Sequence, residues 1–163
     1  MDRFSDYDPF AWLYATRWGA EYHDQAWHIL DKLLFHQLSP GASVLDLCCG
    51  DGRLTSVLHA KGFRVRGIDG SEEMLGFARE RCPDVAFAAG DARTFETECR
   101  FDAVISTVPF QLLRRALPRV EEPYFHALDR VEYFGVTCWV ARTRRPLTKH
   151  FWLNINDPRI SIP

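Results

Sequence analysis

The chain has almost no charge imbalance, with 20 Lys and Arg against 22 Asp and Glu and a formal net charge of −2. Acidic and basic side chains are mixed along it, so it lacks the one-signed face that nucleic-acid backbones require, and no nucleic-acid partner is expected. The local run Arg142, Arg144 and Arg145 reads as a solvated strand end. Cysteines are few and odd in number: Cys48, Cys49, Cys82, Cys99 and Cys138, with no CxxC pair. That pattern disfavours structural zinc and a disulfide framework, and it fits a reducing cytoplasm. His23 and His28, five apart, miss the same-face spacing of a metal pair, so no metal is expected. No apolar run approaches the roughly 18–20 residues of a bilayer span, and no basic-plus-apolar leader is visible, so no membrane partner is expected.

What is present is ample apolar material. At 163 residues, 47% hydrophobic and 13% aromatic, the chain can bury one ordinary core. A single domain over 1–163 is expected: N-terminal helices over 1–40, a βαβ core over 41–107, and an atypical C-terminal segment over 108–163. Asp8-Pro9 reads as a helix start, with a first helix to about Thr16. A second helix carries Tyr22, Ala26, Ile29, Leu30, Leu33 and Leu34 at helical spacing and stops at Ser39-Pro40-Gly41. The periods then alternate. Strands are expected at 43–48, 63–69, 85–88 and 102–107, and helices at 53–60 and from a Ser71 cap to Cys82-Pro83. Glu72 and Glu73 favour the positive end of the second of these. Strands separated by crossovers imply a mostly parallel sheet in an α/β, Rossmann-like three-layer sandwich.

The first strand runs through Asp46 into Cys48-Cys49-Gly50-Asp51-Gly52, just before a helix. In such sheets ligands sit beyond the carboxyl ends of the strands, and glycines in the first turn let backbone approach them. Asp69 stands at the end of the second strand, where a ribose hydroxyl acceptor belongs, and Asp91 follows the third. A dinucleotide would bring a pyrophosphate against Asp46 and Asp51, and the turn lacks the third glycine, so a cationic ligand suits it better. Each carboxylate also has a plainer reading: Asp46 as a turn cap, Asp69 as a solvated strand end, Asp91 as a loop cap. Cys48 and Cys49 read as small buried residues, since nothing nearby in sequence would depress a thiol pKa.

Four segments, Val44–Gly52, Gly67–Ser71, Ala89–Ala92 and Phe101–Ser106, together resemble class I S-adenosylmethionine-dependent methyltransferases over residues 1 to about 106. The resemblance implies S-adenosylmethionine as cofactor, a small-molecule methyl acceptor and methyl transfer. It implies that the Gly50 and Gly52 backbone meets the methionine moiety and that Asp46 orders the loop or meets the ammonium. Asp69 would bind the ribose, Asp91 the adenine amine, and Met74 and Ala92 would pack on adenine, with Gly70 and Ser106 in the same site. Tyr14 resembles an aromatic lid residue, or else an aromatic packed on the sheet edge. Cys48 stands where that family more often has glycine.

Beyond Ser106 the resemblance changes. Segments 107–113, 131–140 and 151–158 resemble part of an FAD-dependent amine-oxidase-like flavoprotein, which suggests a hybrid joined at strand 102–107. FAD binding is not expected, because that part has no glycine-rich turn of its own. Helical pieces at 112–117 and 124–128 and a hairpin of 131–143 with 149–155 would complete a six-stranded mixed sheet. The alternatives to a working methyltransferase are a non-catalytic S-adenosylmethionine-binding remnant and a flavoprotein subdomain.

Overall fold

The computed structural model describes residues 8–107, Pro123 and Arg130. The chain divides into two compact units, Met1–Val131 and Glu132–Pro163, and the described residues belong to the first.

Four strands are present among the described residues: β1 (Ser43–Leu47), β2 (Arg64–Asp69), β3 (Ala86–Ala89) and β4 (Ala103–Ser106). They form one sheet in the order β3-β2-β1-β4. Every pairing is parallel. The expected strands at 43–48, 63–69, 85–88 and 102–107 are all found, shifted or trimmed by one or two residues at their ends. The two C-terminal strands of the expected hairpin, and the helical pieces 112–117 and 124–128, lie outside the described residues.

Helix α3 (Arg53–Ala60) follows β1, and α4 (Glu72–Arg81) follows β2. Ser71 caps α4 as its sequence suggests, its hydroxyl accepting from the Met74 N–H at 3.2 Å. Alternation along β1 divides the core. Val44, Leu54, Leu58, Phe63 and Ile105 form one apolar cluster, with Leu30, Leu34 and Phe35 packed against it. Leu45, Leu47 and Ile68 form a second cluster on the opposite face, covered by Ala92, Phe95 and Phe101.

The N-terminal region departs from the two expected helices. A 3-10 turn (Asp8–Phe10), α1 (Ala11–Leu13), a π-helical stretch (Tyr14–Trp18) and α2 (Gly19–Leu33) follow one another without an intervening loop. Gly19 does not break the run, because its lack of a side chain is what lets the segment seat. A Cβ there would stand 3.0 Å from Arg53 Nε, 3.1 Å from Tyr14 Cε1 and 3.2 Å from Asp51 Oδ2. Further along, Lys61 holds α2 to the end of α3, its Nζ 3.1 Å from Asp31 Oδ1 and 4.8 Å from the Phe35 ring centre.

Among the described residues no helix is long and apolar enough to cross a membrane. No group of three His, Cys, Asp or Glu side chains there could hold a metal ion.

Candidate functional site

The sheet order creates a crevice. The chain moves from β1 outward to β2 and β3, then returns to add β4 on the other side of β1, so the order reverses between β1 and β4. Ligands of open α/β sheets bind at such a reversal, beyond the carboxyl ends of the strands. Leu47 is in register with Ile68 of β2 and with Ser106 of β4, and Asp69 with Ala89 of β3. The loops that leave these strands therefore rise from one rim.

The first of those loops is conformationally demanding. Cys48, Gly50 and Gly52 have φ of +63°, +56° and +74°, the left-handed region that glycine occupies cheaply and cysteine does not. Gly52 is also required by space, since a Cβ there would lie 2.8 Å from Ala78 Cβ and 2.9 Å from its Cα. This close approach seats the start of α3 against α4. Gly50 has Met74 beneath it, whose Cε would be 3.3 Å from an added Cβ.

Asp69 locks that loop to the next. Its Oδ2 accepts from the Gly50 N–H at 2.8 Å and its Oδ1 from the Ser71 N–H at 2.9 Å. Burial pushes its pKa up, against the backbone N–H groups of Ser71, Gly50 and Gly70, while Asp8 nearby pushes it further up. A carboxylate has about four lone-pair sites, so the bonds from Gly50 and Ser71, with the Gly70 N–H also facing it, still leave acceptor capacity for a ligand hydroxyl.

Asp46 is fully buried at 1% exposure, and its Oδ2 accepts from Thr55 Oγ1 at 2.6 Å. Desolvation raises its pKa to about 6, opposed by the hydrogen bonds from Thr55. It ties the strand to the first turn of α3. The burial also takes it out of direct reach of a ligand's ammonium in this conformation.

The remaining two carboxylates are answered by arginines. Asp51 is 3% exposed, with its Oδ2 2.9 Å from Arg53 Nε and 3.0 Å from Arg81 Nη2. Asp91 is held by Arg93, whose Nε lies 2.9 Å from Oδ1 and whose Nη2 contacts Oδ2. Those bonds hold the Asp91 carboxyl below its ordinary range. Asp51, expected from sequence to repel a pyrophosphate, is thus neutralised by two arginines, and of these carboxylates Asp69 is left as the rim acid without an arginine partner among the described residues. Arg81 and Arg93 were not weighed with the acids in the sequence, and for Arg81 the partner is 30 residues away.

The other expected site residues fall around this centre. Met74 is buried on α4 against the turn. Ala92 packs in the apolar cluster on the opposite face of the sheet. A recess of about 310 Å³ near it is lined in part by Ile68, Ala89, Gly90, Asp91 and Phe95. Ser106 ends β4 with a buried hydroxyl oxygen that has no hydrogen-bond partner. Tyr14 is half-buried in the π-helical stretch, near Gly19. Thr107, not expected from sequence, donates from Oγ1 to the Cys48 carbonyl at 3.3 Å and ties the β4 loop to the strained turn. The Cys48 thiol is pushed up to about 11 by burial and by Asp69 and Asp46, and burial pushes Cys49 up as well, so neither is a thiolate nucleophile.

Comparison with known proteins adds to this geometry. Residues 44–128 match the protein family described as "Methyltransferase domain". The uncharacterized methyltransferase sll0829 of Synechocystis sp. is 33% identical over 126 residues, which cover 72% of this chain and 58% of that protein. A trans-aconitate 2-methyltransferase of Escherichia coli O7:K1 is 31% identical over 134 residues, covering 81% of this chain and 49% of the relative. The chain thus spans about half the length of the curated relatives it matches. Among solved structures, the DhpI–SAH complex superposes with a TM-score of 0.59 at 27% identity, over 71% of this chain and 59% of that one. The family match also runs through strand 102–107 and on to residue 128, so the likeness does not end at that strand as the sequence suggested. Nothing found supports the flavoprotein fragment.

Proposed function

We propose, for a chain that belongs to the family described as a methyltransferase domain, that the crevice at the carboxyl rim binds S-adenosylmethionine. The reaction it serves is methyl transfer to a small-molecule acceptor. The observation that carries the reading is the Asp69 carboxylate, which closes the Gly50 turn at 2.8 Å and keeps acceptor capacity at the rim.

The residues present fit that group. Asp69 would hold the ribose hydroxyls, each a donor to a charged acceptor. The left-handed turn at Gly50 and Gly52 brings backbone close to the methionine portion, and the first N–H groups of α3, which has no side-chain cap at Gly52, suit its carboxylate. The ribose and methionine ends thus meet residues joined to each other by a hydrogen bond. Ser106, with its unpartnered buried hydroxyl, is a further polar contact at the order reversal. Met74 and Ala92, with Asp91 and Gly70, bound the adenine end, and Tyr14 covers the cofactor from the N-terminal segment.

S-adenosylmethionine supplies an electrophilic methyl on a sulfonium, which an acceptor lone pair takes as the C–S bond breaks and its electron pair stays on sulfur. The chain's part is binding, in-line positioning and exclusion of water, so no enzyme nucleophile is required. Asp69 places negative charge at the rim, where it favours a cationic ligand, while Asp51 is already matched by Arg53 and Arg81. One curated relative acts on trans-aconitate, as its name states, which makes small carboxylic acids the first acceptors to try.

Calorimetric titration of the full chain with S-adenosylmethionine and S-adenosylhomocysteine, followed by an assay for S-adenosylhomocysteine release with small acids, tests the reading. Binding of both and acceptor-dependent release are expected. Absence of binding contradicts the cofactor assignment, and binding without release with any acceptor contradicts the transferase assignment.

A further inference from the structure

The N-terminal helical segment is fastened at two places, one on the loop that follows β2 and one on the first residue of α3. At one end, Ser71 Oγ donates to Asp8 Oδ1 at 2.5 Å. At the other, Arg53 Nη2 donates to the Ala15 carbonyl at 2.8 Å, with Gly19 seated against Arg53 and Asp51. Asp8 therefore meets the loop that follows β2, and Ala15 meets the helix that follows the β1 turn. The residues between them, α1 and the start of the π-helical stretch, run from the loop after β2 to the start of α3.

Ser71 is where these constraints converge. It is fully buried, its N–H donates to Asp69 Oδ1, its oxygen accepts from the Met74 N–H, and its hydroxyl hydrogen goes to Asp8. One side chain thus joins the N-terminal segment to the carboxylate assigned to the ribose and to the helix beneath Gly50. We propose that Asp8 is a positioning residue for cofactor retention, its bond to Ser71 clasping the N-terminal segment against the rim and slowing cofactor release. The inference rests on the cofactor reading above.

Asp8 and Asp69 are both acids, and the presence of Asp8 makes ionised Asp69 less favourable, so the charge of Asp8 and its bond to Ser71 are separable in a test.

The test compares wild type, Asp8→Ala and Asp8→Asn as full chains. Asparagine keeps an oxygen that can accept from Ser71 and removes the charge beside Asp69, whereas alanine removes both. In stopped-flow displacement, S-adenosylhomocysteine is expected to leave Asp8→Ala about fivefold faster than wild type, the scale of one net hydrogen bond. Asp8→Asn is expected to release it no faster than wild type. Equal release from wild type and Asp8→Ala overturns the proposal, as does an Asp8→Asn protein as fast as Asp8→Ala. Hydrogen exchange without ligand provides a second reading. Amides 11–19 are expected to lose protection in Asp8→Ala but not in Asp8→Asn, while amides 43–69 keep theirs. Unchanged protection of 11–19 in Asp8→Ala overturns the clasp. If wild type binds no S-adenosylhomocysteine, the cofactor reading fails, and the exchange result alone decides the clasp.

Discussion

Asp46 shows how far one residue can be read from its neighbours in sequence. An acid in the middle of an apolar strand is conspicuous, but its bond to Thr55 emerges only when the following helix folds back over the strand. Because burial raises its pKa from 3.8 to about 6, the protonated form is favoured in the folded state. Its contribution to stability is complete below about pH 4 and is lost as pH rises through about 6, a span corresponding to about 3 kcal/mol. Asp46→Asn keeps an acceptor for Thr55 and removes the charge. Chemical denaturation is expected to find the variant more stable than wild type at pH 7.5, with a difference that shrinks toward pH 4. A difference independent of pH would contradict the assignment.

Other residues at this scale divide according to how distant their partners are. Asp69 and Ser71 were legible because a strand end, a cap and a helix lie within a few positions of one another. Arg81 and Asp51, and Asp8 and Ser71, were not, since each pair is assembled by folding across 30 and 63 positions. Simple counting of acids at the rim therefore overstated its negative charge. Cys48 was singled out as a departure from glycine, and its φ of +63° gives the physical content of that departure.

At the level of elements, periodicity located the four strands and the two helices between them, because each is a short apolar or helically spaced run that ends at a clear stop. It failed at the N-terminal segment, where an aromatic-rich stretch carries no break that marks a boundary and the register passes through a π-helical turn. The packing of α3 on α4 depends on Gly52, and two alanine substitutions separate space from backbone strain. Gly41 and Gly52 both have positive φ, +72° and +74°, but a Cβ at Gly41 meets nothing within 4 Å. Gly41→Ala is expected to cost about 1–2 kcal/mol for the left-handed conformation alone. Gly52→Ala adds overpacking against Ala78 and is expected to cost a further 1–3 kcal/mol, roughly. Thermal or denaturant unfolding of the two variants measures the gap, and equal losses would show that the α3–α4 contact gives way freely.

For the molecule as a whole, the sheet order β3-β2-β1-β4 makes the site. Reversal of the order between β1 and β4 opens a crevice at the ends of the strands, and every glycine and acid expected at the first turn lies on that rim or directly behind it. The α/β class and the position of the crevice followed from alternating periods, which is why they could be read in advance. The identity of the acceptor could not, because no residue of the described rim is specific for one.

The central claim is that Asp69 is the ligand-facing carboxylate of an adenosyl site. Its most direct test is the affinity of S-adenosylhomocysteine for wild type and Asp69→Ala, measured by calorimetry with FAD titrated in parallel and the melting temperature of each protein recorded. The account expects binding to wild type, a loss of about 1.5–3 kcal/mol in the variant from its charged hydrogen bonds, and no binding of FAD. Equal affinity of the two folded proteins for S-adenosylhomocysteine, or binding of FAD in its place, would contradict it.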